Sequence, residues 1–251
     1  MLTIETTRES GVQTISINNP PVNALDQQTI LSLLSSLQEA STDDAIRCII
    51  LTGSRQIFCA GHDINEMLTG QSQQVSYREH LLQTYNPLIL QIRKTPKPII
   101  ASINGPAAGA GLGIALACDL RIASENSRFT VGFAGIGLVP DSGVSLFLPL
   151  LVGLGRAAEL AFSNATIPAS QALDWGLINK MTTIEQLPSE SAYYAARLAN
   201  GPTGTYGLTK QAFNMSVLHN LENALDQEAH LQELASKSEE HRLGVKSFLN
   251  K

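Results

Sequence analysis

The apolar positions of this chain change rhythm along its length. Short runs, some alternating with polar residues, open the sequence: Leu2–Thr6 and Val12–Ile17 read as two strands joined by a turn at Glu9-Ser10-Gly11. Asn18-Asn19-Pro20-Pro21 ends the second strand. Between Ala24 and Ala40 the apolar residues Leu25, Ile30, Leu33, Leu34 and Leu37 fall at helical spacing. After Asp43-Asp44, the continuous apolar run Arg47–Thr52 predicts a buried strand. The opening therefore reads as ββαβ.

The middle of the chain repeats this theme. Ser54–Gly61 is a loop, with a helix expected after Asp63. Gly70–Ser76 is rich in Gln and Ser and reads as mobile. Tyr77–Ile92 has helical spacing, with Pro87 as a kink or stop. Pro96-Lys97-Pro98 marks a boundary before the strand Ile99–Ile103. A short apolar helix, Ala110–Cys118, and strands Leu120–Ala123 and Phe129–Val131 follow.

Beyond Val144 the pattern turns helical. Helices are predicted at Val144–Leu151, Arg156–Phe162, Ala169–Trp175, Ser189–Asn200, Leu208–Leu218, Leu221–Ser236 and Ser238–Leu249. Ile178–Met181 is expected as the only late strand. The chain reads as an α/β body over residues 1–190 and a C-terminal helical region over 191–251, with no linker between them.

Composition narrows the classes. The 251 residues are 43 % hydrophobic and 16 % charged, which excludes a disordered or collagen-like chain. A net charge of −5 argues against the basic face of a nucleic-acid binder. No apolar stretch reaches the ~18 residues of a membrane span. Met1–Glu5 lacks the basic region of a secretory signal, so a cytosolic protein is expected. Three cysteines, widely spaced, fit neither a disulfide framework nor a zinc site. Cys48 and Cys118 read as buried thiols, and Cys59, in a Gly-rich loop, is open to either burial or reactivity.

Two Gly-rich loops could carry chemistry. Phe58-Cys59-Ala60-Gly61-His62-Asp63-Ile64 follows one strand. Asn104-Gly105-Pro106-Ala107-Ala108-Gly109-Ala110-Gly111-Leu112-Gly113 follows another and opens a helix. Amides at a helix N-terminus lack internal partners, so two such loops side by side could aim two N–H groups at one developing oxyanion. The glycines could equally serve only close packing.

These loops, with Pro21-Val22-Asn23-Ala24-Leu25, Ala117–Ala123, Gly135–Gly143 and Ala172–Ile178, resemble in order and spacing the crotonase, or enoyl-CoA hydratase/isomerase, family. The likeness runs nearly end to end. It implies a spiral of repeated ββα units, C-terminal helices for trimerisation, and acyl-CoA substrates with no further cofactor and no metal. A homotrimer or hexamer is implied, without nucleic-acid or membrane partners. The His62 and Ala110 amides match the oxyanion donors. Val22, Ala24, Ala60, His62, Asp63, Ile64, Gly109 and Ala110 match positions around CoA and the thioester. Asp63 is expected to steady its loop. Lys210, Arg197 and Lys246 are weaker candidates for the CoA phosphates, more simply read as solvated. Trp175 reads as core.

The reaction turns on the acids. Family hydratases use two glutamates, and here those positions hold Gly113 and Phe133. Asp119 and Glu125 do not replace them and read as structural and surface charges. Asp141 remains, in a position where family isomerases carry a lone acid. One carboxylate among apolar neighbours can take a proton from one carbon and return it to another, a 1,3-shift. The other reading of Asp141 is an N-cap for the helix that follows. The run Gly137–Gly143 is similar to that of the phenylacetate-pathway 1,2-epoxyphenylacetyl-CoA isomerase type. The resemblance thus implies an acyl-CoA isomerase of fatty-acid or phenylacetate metabolism that moves a double bond or rearranges a ring epoxide. Another crotonase-type reaction, such as hydration, and a weakly catalytic CoA-binding partner protein are the alternatives.

Overall fold

The computed structural model describes residues 3–63 and 76–249. The helix expected after Asp63, Ile64, and nearly all of Gly70–Ser76 lie outside the described residues.

A six-stranded sheet organises the chain. β1 (Ile4–Glu9) and β2 (Val12–Ile17) form an antiparallel hairpin. Ser10 and Gly11 both have positive φ, the mirror-image turn that matches strand twist in a two-residue hairpin loop. β4 (Cys48–Gly53), β6 (Ile99–Ile103), β8 (Leu120–Ser124) and β11 (Lys180–Thr182) then add in parallel, in the order β1-β2-β4-β6-β8-β11. β3 (Ala24–Leu25) pairs with β5 (Gly61–His62). β7 (Ala107–Ala108), β9 (Arg128–Thr130) and β10 (Thr166–Pro168) make a third small sheet.

Both faces of the central strands are covered, so they are mostly apolar, with Ser102, Arg121 and Ser124 as buried polar exceptions. Ile49, Leu51, Ala101 and Ile103 face the main core. Cys48, Ile50, Ile100 and Ile122 face a second cluster with Leu187, Ala195 and Ala199. The main core takes the buried stripes of α1 (Gln27–Thr42), α3 (Tyr85–Lys94) and α4 (Ala110–Ala117). The second cluster takes α8 (Leu187–Ala199). The expected division at residue 190 falls inside this helix.

Several predicted elements are corrected. The first helix starts at Gln27, not Ala24, because Asp26 caps it by accepting from Thr29 N at 2.7 Å. Tyr77–Ile92 is two helices, α2 (Tyr77–Gln83) and α3, broken at Thr84. The break precedes Pro87, which has no N–H to donate to Gln83 O and whose ring would clash with that carbonyl in a continuous helix. Ile178–Met181 is not the only late strand, since β10 pairs with β9.

The remaining helices are α5 (Val144–Val152), α6 (Leu154–Ser163), α7 (Ala169–Asp174), α9 (Thr203–Ser216), α10 (Leu221–Ser236) and α11 (Glu239–Leu249). Among the described residues, no helix is long and apolar enough to cross a membrane.

Candidate active site

Backbone bonds zip the two Gly-rich loops together. Phe58 N and Cys59 N donate to Pro106 O at 3.1 and 3.2 Å, and Ala108 N donates back to Cys59 O at 3.0 Å. Asn23 anchors the first loop's approach through bonds from Nδ2 to Ser54 O and Ile57 O at 3.0 and 2.8 Å. Gly61 has a φ of +91°, and a methyl there would meet Ala108 O at 2.9 Å and Ala110 N at 3.2 Å. Only glycine lets the loops close this tightly.

Ala110 is the first residue of α4, so its amide has no intrahelical acceptor, and no acceptor among the described residues takes it. His62 pairs with Leu25 across β3 and β5, where Asp63 N donates to Leu25 O at 3.1 Å.

Ala60, His62, Gly109 and Ala110 border a cavity of about 370 Å³. Phe133, Ile136 and Leu138 supply apolar wall. Tyr77, His80 and Leu81 enter from one face of α2, which a Ser76–Glu79 capping box starts, and Tyr85 enters from α3. Asp141 and Gln232 stand in the same lining. Asp141 is the one acid in that wall among the described residues.

Asp141 is buried and has two neutral donors. Ser142 Oγ donates to Oδ1 at 2.8 Å, and Gln232 Nε2 donates to Oδ2 at 2.6 Å. Burial pushes its carboxyl up to about 6, against the pull of these two bonds. Its side chain does not cap α5. The N-cap is Gly143 without a side-chain bond. Glu228 substitutes from α10, accepting Gly143 N and Ser145 N at 2.8 and 2.9 Å. Burial raises Glu228 to about 7, and the nearby Asp141 charge adds to the rise.

The His62 imidazole is a weak base. Burial holds it neutral, down to about 3, with Nδ1 3.0 Å from the Tyr85 hydroxyl. The Cys59 thiol is buried and pushed up to about 12, which excludes a reactive thiolate.

The enoyl-CoA hydratase/isomerase family model matches residues 7–251. The chain belongs to that family. It is 38 % identical over 247 residues to a 1,2-epoxyphenylacetyl-CoA isomerase of Escherichia coli K12, covering 97 % of this chain and 94 % of the relative. A 4-chlorobenzoyl coenzyme A dehalogenase-2 of an Arthrobacter species is 34 % identical, covering 87 % and 80 %. The crystal structure of an enoyl-CoA hydratase from Mycobacterium avium subsp. paratuberculosis superposes with a TM-score of 0.89 at 32 % identity, covering 99 % and 96 %. The crotonase fold is thus shared, while the relatives' names span three reactions.

Within this family fold the expected residues divide. Ala60, His62, Gly109, Ala110 and Asp141 meet at one cavity. Val22 and Ala24 sit beside the first loop and Asp63 within it, and none of the three lines the cavity; Val22 O accepts Ala60 N at 3.2 Å. Lys210 is not solvated. It is buried, with Nζ 2.9 Å from Asp119 Oδ2, so it is a strut and not a phosphate contact. Trp175 is half-buried against the core, with the Arg156 guanidinium 4.9 Å over its ring. The positions of the hydratase acids stay empty of carboxylate. A methyl on Gly113 would meet Ser142 O at 2.6 Å and Ser142 Cβ at 2.7 Å, so α4 leans directly on the Asp141 loop.

Gln232 and Glu228 escaped the sequence reading. They lie on the stripe Leu221, Leu225, Glu228, Ala229, Gln232 that α10 buries. Two polar residues on an apolar helical face were the available signal.

Proposed function

We propose that this family member is an acyl-CoA isomerase that shifts a double bond along an enoyl thioester, with Asp141 as proton carrier. The carrying observation is an acid that stands alone in the cavity wall among the described residues, buried beside neutral donors. Its carboxylate takes a proton from C2 of a 3-enoyl thioester. The C–H electrons move into the C1–C2 bond as the carbonyl π pair shifts to oxygen, giving a dienolate. The His62 and Ala110 amides bind that oxygen, where charge is larger in the transition state than in the substrate. The dienolate then takes a proton from the Asp141 carboxyl at C4, leaving the 2-enoyl product conjugated with the carbonyl. No resident cofactor or metal enters this balance. A carboxyl near 6 serves well as base and then acid at neutral pH.

Val22, Ala24 and Asp63 belong to this reading as the flank along which the CoA moiety runs, and Ile64 is assigned to CoA by the family resemblance alone. Exposed Leu208, Phe213 and Met215 on α9, and Leu154 and Phe162 on α6, support association of copies into a homotrimer or hexamer. Three free, buried thiols suit a cytosolic location. The E. coli relative's name adds ring-epoxide acyl groups as a second substrate class. Hydration is disfavoured by Gly113 and Phe133.

The test incubates a 3-enoyl-CoA with wild type and Asp141→Asn, following thioester conjugation by ultraviolet absorbance and solvent deuterium uptake by mass. Turnover that falls about 10²-fold or more on substitution supports the reading. Wild type that binds CoA esters without turning over linear enoyl or ring-epoxide substrates overturns it and favours the weakly catalytic CoA-binding role.

A further inference from the structure

The loop that carries Asp141 is gripped by one face of α10. Glu228 and Gln232 are one helical turn apart and both are buried, at 3 % and 1 % exposure. Glu228 holds the amides of Gly143 and Ser145. Gln232 Oε1 accepts Val139 N at 3.2 Å, while its Nε2 donates to Asp141 Oδ2. The side chain thus spans the loop on both sides of Pro140.

This double contact fixes the amide's orientation. A flipped amide would set its oxygen against the carboxylate and its NH₂ against the Val139 N–H, losing both bonds. Oδ2 therefore always faces a donor. Oδ1 faces the Ser142 hydroxyl, which rotates and can donate to a carboxylate or accept from a carboxylic acid. The two oxygens are unequal. The proton is favoured on Oδ1, where Ser142 can reverse its role, while Oδ2 stays the better acceptor for Gln232.

We infer that Gln232 is a positioning residue for Asp141, fixing the rotation of its carboxylate, directing its proton to Oδ1 and favouring its ionised form. The inference rests on the proton-carrier reading above for its catalytic meaning. Its physical content, a change in Asp141 ionisation, does not need a substrate. Burial raises the Asp141 carboxyl, and the Gln232 bond is the larger of the two contacts that pull it back. Other titratable groups surround Asp141, behind its loop or across the cavity. Glu228 stands on the same helix; Tyr77 and His80 come from α2, Tyr85 from α3 and His62 from β5. Ala110 and Gly113 of α4, and the wall residues Phe133, Ile136 and Leu138, bring no charge.

The experiment titrates the carboxyl carbon of Asp141 by NMR in full-length protein labelled at aspartate, with Asp141→Asn giving the assignment. Gln232→Met keeps the length and removes the donor. Its Asp141 titration is expected about one pH unit higher, a roughly tenfold gain in proton affinity. The acid limb of kcat/KM should move by the same amount, with kcat falling about tenfold and KM changing less than about twofold. Gln232→Glu covers the case in which the methionine variant fails to fold. It keeps an acceptor for Val139 N and puts a second acid against Oδ2, so Asp141 should titrate higher, as a coupled pair in two steps. An Asp141 titration unchanged in a folded variant overturns the inference. Wild type whose Asp141 responds to Gln232 as described, yet turns over no enoyl-CoA, overturns the proposed reaction and supports the positioning.

Discussion

Asp119 and Asp141 both follow or precede a helix within the core, yet they have opposite company. Asp119 meets Arg93 Nη1 at 3.0 Å and Lys210 Nζ at 2.9 Å, and accepts Ile99 N at 2.8 Å. Arg93 goes on to Ala117 O and Asn214 Oδ1, tying α3, α4, β6 and α9 together. Asp141 meets a hydroxyl and an amide. Compensation by full charges makes the first carboxylate a strut. Its absence leaves the second free to exchange a proton near neutral pH. The residue type is the same, and the partners decide the role.

Four outcomes would sharpen or break this contrast. The largest effect is on turnover, which Asp141→Asn should lower about 10²–10⁴-fold with the fold intact. An equal loss from a folded Asp119→Ala protein would erase the distinction.

Next comes Asp119→Ala on stability. Removing the shared partner strands two buried cations, at a cost of about 3–5 kcal/mol. In a chain of this size that is a melting temperature lower by roughly 10 °C, readable by calorimetry.

The third outcome is a pH dependence. Burial holds Asp141 near 6 instead of 3.8 and Glu228 near 7 instead of 4.5. Raised folded values mean that the native state binds these protons more tightly than the unfolded chain. Their stabilising contribution is complete below about pH 4 and is lost as pH rises through about 7. Asp141→Asn should therefore unfold at higher denaturant at pH 8 than wild type, by up to about 3 kcal/mol, and not at pH 4. A wild-type stability that instead climbs between pH 5 and 8 through these groups would contradict the burial of Asp141.

The smallest is Gly113→Glu. Placing an acid at a hydratase position should cost about 1–3 kcal/mol of stability without producing hydration, because the new side chain meets the Ser142 backbone. Measurable conversion of a 2-enoyl-CoA to its 3-hydroxy product would refute that.

Much of the scaffold was legible in the chain. β2 and β6 fall where period and boundary residues put them, and α10 runs over Leu221–Ser236 as its stripe predicts. Asp141 stood out because an acid inside Ile136–Phe147 has few bland explanations. The shortfalls have local causes. β3 and β10 are too short to show a period and owe their form to partners distant in sequence. Lys210 looked solvated because nothing nearby reveals Asp119, 91 residues away. Gln232 is as far from Asp141. Pairings of that kind are written in the topology, and only a polar residue on a buried stripe hints at them.

The seat of Gly113 against Ser142 also bears on how such a chain can change over generations. An acid at 113 needs the Ser142 turn to withdraw, and that turn has a φ of +55° and is clasped by Glu228 on its far side. A lineage with this contact needs acids at both Gly113 and Phe133 for two-acid chemistry, and the step at 113 loses stability before it gains a function. The contact works as a ratchet: the lack of room for one methyl keeps an acid out of position 113.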